Sequence, residues 1–207
     1  MPKFALLLVL LAGCASYKVD STPLAMEGKS VGEPVTTGSL ETSAQMYRSE
    51  KVAKAAFGIS PRSTGMLPVV VRIENRGESP VRFELERTTI TGPDGVRYRA
   101  LAIDAAIERA RAGSGSAIAS AIAFGMVGLM VSASSTEKAN RTMEVDYLEK
   151  RFKPLIVNPG CRGEGVVFFE VPAKRQAAVV TLSSITRSLS DDKEVETAIP
   201  LAELRPE

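Results

Sequence analysis

From Ala112 to Thr136 the chain carries no charged side chain, and Ala117 to Ala133 is almost wholly apolar or small. A run of that composition has to be packed, paired or placed in lipid, because an apolar surface of such extent is costly in water. Segments with helical spacing flank it. Leu101 to Arg111 sets Ile103, Ala106, Ile107 and Ala110 on one face and Asp104, Glu108 and Arg111 on the other. Glu137 to Phe152 sets Val145, Leu148 and Phe152 in one stripe, with Asp146 four residues before Lys150. Residues 102–153 are therefore expected to form an Ala/Gly-rich helical insertion.

Within the uncharged run Ala117, Ala121 and Gly125 recur every four residues, and Gly128 and Ser132 repeat the spacing on a neighbouring stripe. Small residues at that interval let two helix backbones approach closely, so these five form a candidate contact or self-association surface. Three readings stay open. The run is the tip of a helical hairpin packed on the rest of the domain, or a surface for a partner or a second copy, or a segment that enters a bilayer. About twenty apolar residues suffice to span one. Against spanning, Ala, Gly and Ser make this run only mildly hydrophobic.

The segments on either side have the period of strands. Leu67 to Ile73 is β-branched and apolar, Asn75 to Pro80 is a polar turn, and Val81, Phe83 and Leu85 then alternate with Arg82, Glu84 and Glu86. This predicts a two-stranded hairpin. Gly92-Pro93-Asp94-Gly95 makes a second turn into a strand holding Val96 and Tyr98. Val166 to Val171 is apolar on both faces, as in a strand covered on each side, and Pro172 ends it. Further strands are expected at 177–182 and 195–199, with weaker ones at 46–57 and 155–157. That number of short strands predicts a mainly β fold, an antiparallel sandwich built from 45–101 and 154–207. The pattern from Phe57 through Leu101 resembles Ig-like sandwich modules of uncharacterised envelope lipoproteins.

Residues 1–13 read as an export signal, with Lys3 at the positive end and an apolar stretch from Phe4 to Leu11. The stretch ends in Leu11-Ala12-Gly13-Cys14, which resembles the lipobox of bacterial lipoproteins. The resemblance implies cleavage before Cys14, a diacylglyceryl thioether on its sulfur and palmitate-like acyl chains. At about 0.8 kcal/mol per buried CH₂, two or more chains anchor lastingly where one is marginal. With Ala15 rather than Asp after the cysteine, it further implies the periplasmic face of an outer membrane. Residues 14–44, rich in Ser, Thr, Gly and Pro, are expected to be a flexible tether reaching about 30 Å.

The chain has 26 Lys plus Arg against 24 Asp plus Glu, interspersed, so no basic stripe for nucleic acid is present. Histidine is absent, which removes the commonest general base and the commonest transition-metal ligand. Ser135-Thr136-Glu137-Lys138 matches a penicillin-binding S-x-x-K pattern without its companion elements and is read as a cap of the second helix. Gly160, Gly163 and Gly165 are read as turn glycines, and Asp191-Asp192 as solvated charge in a hairpin turn. If Cys14 is acylated, Cys161 is the one remaining thiol, read as a small, partly buried residue where a strand begins. The expectation is a non-enzymatic structural or interaction module of the cell envelope, without cofactor or metal. Its partners would be the membrane through the lipid and an envelope protein or a second copy. The alternative is a membrane-active or ring-forming component that uses residues 112–136.

Overall fold

The computed structural model describes residues 33–47, 49–58, 60–122, 129–153, 155–178 and 181–203. The chain begins with β1 (Val35–Thr37) and β2 (Leu40–Met46), followed by α1 (Glu50–Phe57) and β3 (Met66–Asn75). Then come β4 (Val81–Phe83), β5 (Thr89–Thr91) and β6 (Arg97–Arg99), and the long helices α2 (Ile103–Ile122) and α3 (Leu129–Lys150). The remaining strands are β7 (Ile156–Val157), β8 (Arg162–Glu170), β9 (Thr181–Ser188), β10 (Glu194–Pro200) and β11 (Ala202–Glu203). They make two sheets, antiparallel except for a short parallel pairing of β11 with β2. The mainly β, two-sheet sandwich with a helical insertion is thus the fold.

The first sheet runs β1-β2-β3-β8. In the second, β9 pairs with β10 on one edge and with β4 and β5 in succession on the other, and β7 and β6 lie outside those two. Alternation explains the layering. Leu67, Val69, Val71 and Ile73 of β3 and Val167 and Phe169 of β8 face the second sheet, with Phe83, Ile90, Leu182 and Ile199. Met66, Val70, Val166 and Phe168 face the other way and form a second core with Phe57 of α1, Ala106 and Ile107 of α2, and Met143 and Tyr147 of α3. The molecule is three layers deep, and β3 and β8 are apolar on both faces because both faces are covered.

Several expectations change. Residues 67–73 and 81–85 are not one hairpin: β3 and β4 lie in different sheets. Both edges of β3 are taken, by β2 and β8, so the chain has to leave for the second sheet. Buried Asn75 holds the crossing, donating to the carbonyls of Ser79 (2.8 Å) and Val157 (3.0 Å) and accepting from the Gly77 amide (3.0 Å). From Val35 on, the expected tether is instead β1 and β2. Thr42, Ser43 and Ala44 are buried there, and such short, weakly apolar residues leave little hydropathic signal.

The weak strand expected at 46–57 is mostly helix α1. Ser49 precedes it in extended conformation, Glu50 and Lys54 pair across one turn, and Gly58 closes it at φ 70° with its amide on the Lys54 carbonyl. Residues 173–178 form a 3₁₀ turn rather than the start of a strand, and buried Gln176 donates from it to the Met66 and Val171 carbonyls, 3.0 Å each. Ser135 and Thr136 lie inside α3, which begins at Leu129, so they do not cap it. Val145 is 54% exposed, and Phe152 packs in the sandwich core beyond the helix end; the buried face of α3 runs through Met143, Asp146 and Tyr147. Cys161 is exposed in the turn before β8. Gly160 is a turn glycine at φ 70°, whereas Gly163 and Gly165 lie within β8.

Candidate functional site

The helical insertion leaves and rejoins the sandwich at the outer edge of β8, the edge not paired with β3. The outgoing stem meets it where the Leu101 amide donates to the Phe168 carbonyl at 2.7 Å, next to a bridge between Ala100 and Phe169. The returning stem meets it where the Phe152 amide donates to the Val166 carbonyl at 3.0 Å, with bridges from Arg151 to Val166 and from Lys153 to Glu164. Gly165 makes the second crossing possible. A side chain there would place a Cβ 2.2 Å from the Phe152 Cα. Phe152 can then turn inward and pack on Phe83, ring centres 4.6 Å apart.

Where the two stems cross, a cleft of about 330 Å³ opens. Its walls include Leu85 and Leu155 from the second-sheet side, Leu101 and Ile103 from the outgoing stem, and Val166 to Phe168 from β8. Leu85 is available because the strand alternation of β4 breaks at Glu84 into a 3₁₀ turn, Leu85–Arg87. Leu155 is 52% exposed on one side of the opening. Arg151 and Lys153 are the only charged residues of the lining. Both are exposed, and neither side chain has an ion-pair partner among the described residues.

Helices α2 and α3 stand above this cleft as an antiparallel pair, joined at the base by Arg111 of α2 and Glu144 of α3 at 2.5 Å. On the inner face of α3 Asp146 and Lys150 pair at 2.8 Å, and the Lys150 ammonium also donates to the Ala56 carbonyl at the end of α1 and sits 5.7 Å from the Phe57 ring centre. Tyr147 stacks on Phe168 with ring centres 5.0 Å apart and planes 8° from parallel. Its hydroxyl has no hydrogen-bond partner among the described residues. Burial, and then the adjacent Asp146 carboxylate, push the Tyr147 phenol well above its ordinary value.

A second concavity, about 270 Å³, lies among the Gly38-Ser39 turn, residues 77–79 and the β9–β10 hairpin. It is polar, with Ser39, Ser79, Ser188 and Ser190 beside Asp191 and Lys193. Hydrogen bonds from the Ser188 side chain and the Lys193 amide hold the Asp191 carboxyl below its ordinary value. No cluster of three or more acidic or thiol groups able to hold a metal occurs among the described residues.

Cys14, Gly125 and Gly128 lie outside the described residues. Ala117 and Ala121 belong to α2 and Ser132 to α3. No helix among the described residues is long and apolar enough to cross a membrane. Sequence reasoning missed the cleft. Its signal is the Arg151-Phe152-Lys153 alternation, which is strand-like rather than helical and marks where the return stem lies along β8.

No protein-family model matches the chain, and no curated protein matches it in sequence. Among solved structures it is similar to the yjhA protein of Bacillus subtilis, at 11% identity and a TM-score of 0.39, over 83% of this chain and 98% of that one. It is also similar to a DUF4426 family protein of Pseudomonas aeruginosa, at 8% identity and a TM-score of 0.34, over 86% of this chain and 97% of that one.

Proposed function

We propose that this protein is a lipid-anchored, non-enzymatic interaction module of the bacterial cell envelope, held through Cys14 at the periplasmic face of the outer membrane. The observation that carries the reading is Leu11-Ala12-Gly13-Cys14 at the end of a short apolar stretch that follows Lys3. Two features support an interaction role. Among the described strands, β10 has one edge paired with β9 and the other open, an edge to which a partner strand can add. The helical insertion is rooted in the domain by a buried core, which gives a partner a rigid base to work against. The absence of histidine supports a role without general-base chemistry.

The test is metabolic labelling of the full chain with radioactive palmitate, together with membrane fractionation and mass spectrometry of the mature N-terminus. Label on the wild-type chain, lost in Cys14→Ala along with outer-membrane partitioning, supports the reading. An unmodified N-terminus, or partitioning unchanged in Cys14→Ala, overturns it. An envelope partner crosslinked in intact cells, and lost when residues 112–136 are deleted from a chain that still folds, assigns the interaction to the insertion.

A further inference from the structure

We infer that the cleft at the root of the helical hairpin binds a single-chain anionic amphiphile, an alkyl tail ending in a carboxylate or a phosphate. Its shape and chemistry divide along those lines. The body of the cleft is aliphatic and aromatic, formed by Leu85, Leu101, Ile103, Leu155 and the buried β8 residues. A volume of about 330 Å³ is at the lower end of small-molecule sites, which suits one alkyl chain and not two. At the rim, Arg151 and Lys153 flank Phe152, and no carboxylate belongs to the lining to neutralise them.

Glu164, the carboxylate bridged to Lys153 across the edge of β8, is held by Arg72 at 2.7 Å, so Arg151 and Lys153 leave their charges toward solvent beside an apolar hollow. Strand alternation holds them there: with Phe152 turned into the core, its two neighbours point outward together. A tail laid along Leu155 and Leu85 would bring an anionic head between the two cations. A guanidinium presents a fork of donors to a carboxylate or phosphate, and the ammonium adds a second positive charge. The 52% exposure of Leu155 marks apolar surface that such a tail would cover.

This inference is independent of the membrane anchor, and the test keeps the two apart by using the full chain with Cys14→Ser in detergent-free buffer. Calorimetric titration with dodecanoate below its micellar concentration is expected to saturate with one ligand per chain. Dodecyl phosphate in a parallel titration tells which head group is preferred, a carboxylate as in a free fatty acid or a phosphate as in a lysophospholipid. Acetate, a head without a tail, and dodecyltrimethylammonium, a tail with the opposite charge, are both expected to bind at least about tenfold more weakly. Arg151→Glu with Lys153→Glu is expected to weaken dodecanoate binding by about tenfold or more, and Leu155→Asp to do the same through the tail. These side chains are exposed, so the variants should keep the wild-type melting transition; should the charge reversal perturb it, Arg151→Gln with Lys153→Gln gives the same reading. Equal binding of the cationic amphiphile, no saturable binding of either anionic chain, or affinity unchanged by these substitutions overturns the inference.

Discussion

Asp146 and Lys150 sit one turn apart on the inner face of α3 and form an ion pair at 2.8 Å, with side chains only 4% and 10% exposed. Two charges so far from water are tolerated because each satisfies the other and because Lys150 also reaches the Ala56 carbonyl in the last turn of α1. The pair thus ties α3 to α1.

Removing one partner takes away the opposite charge 2.8 Å from the other, which stays buried. Asp146→Ala or Lys150→Ala is expected to destabilise the fold by about 3–5 kcal/mol in urea unfolding. Asp146→Leu with Lys150→Met removes both charges and should recover most of that loss. A double variant no more stable than the single ones would show that the pair is not the source of the effect.

The Tyr147 phenol predicts an alkaline limit. Its pKa is raised in the folded state above the ordinary 10.0, so folding favours the protonated form, and stability falls as pH rises above 10, where the unfolded chain ionises first. Tyr147→Phe keeps the ring stack on Phe168 and removes an unpartnered buried hydroxyl. It is expected to raise stability by about 1 kcal/mol at neutral pH and to flatten the decline above pH 10. Thermal melts of both chains across the alkaline range check this.

An acid limit is expected at the β9–β10 hairpin. Glu194 is held below its ordinary 4.5, first by the hydrogen bond from Arg87 and further by Arg187. A lowered folded value means that its contribution is present above the ordinary value and is lost as pH falls from there through the lowered one. Glu194→Gln should remove that part of the acid dependence, seen as a shallower fall in the unfolding midpoint below pH 4.5. The effect should shrink in high salt, since the group is on the surface.

Two glycines separate crowding from backbone strain. Gly165→Ala drives a Cβ into the Phe152 backbone, 2.2 Å from its Cα, and should cost at least about 3 kcal/mol or prevent folding. Gly95→Ala meets nothing within 4 Å but sits at φ 76°, and should cost about 1–2 kcal/mol. Equal losses in chemical denaturation would contradict the close crossing at β8.

The elements that read clearly from sequence are those with local causes. The apolar run of β8, the Gly92-Pro93-Asp94-Gly95 turn between β5 and β6, and the four-residue spacing of Asp146 and Lys150 each carry their own signal. What escaped depends on distant residues. β4 enters the second sheet only because both edges of β3 are occupied, which nothing near Val81 announces. Phe152 follows Leu148 at helical spacing, but α3 ends at Lys150, and the chain then lies along β8 and turns the ring toward the other core. The cleft was hard to read for the same reason: its walls come from four separate stretches that meet only when the insertion returns.

Because β8 lends alternate side chains to both cores, the helical layer has no foundation of its own and the sandwich no outer skin without it. Peeling the helices away would uncover Val166 and Phe168 on the very strand that holds Val167 and Phe169 in place. The amides along the β3–β8 ladder should therefore exchange with deuterated solvent last of all, and at one shared rate. A pull on the hairpin would be felt at the centre of the molecule before it is felt at any loop.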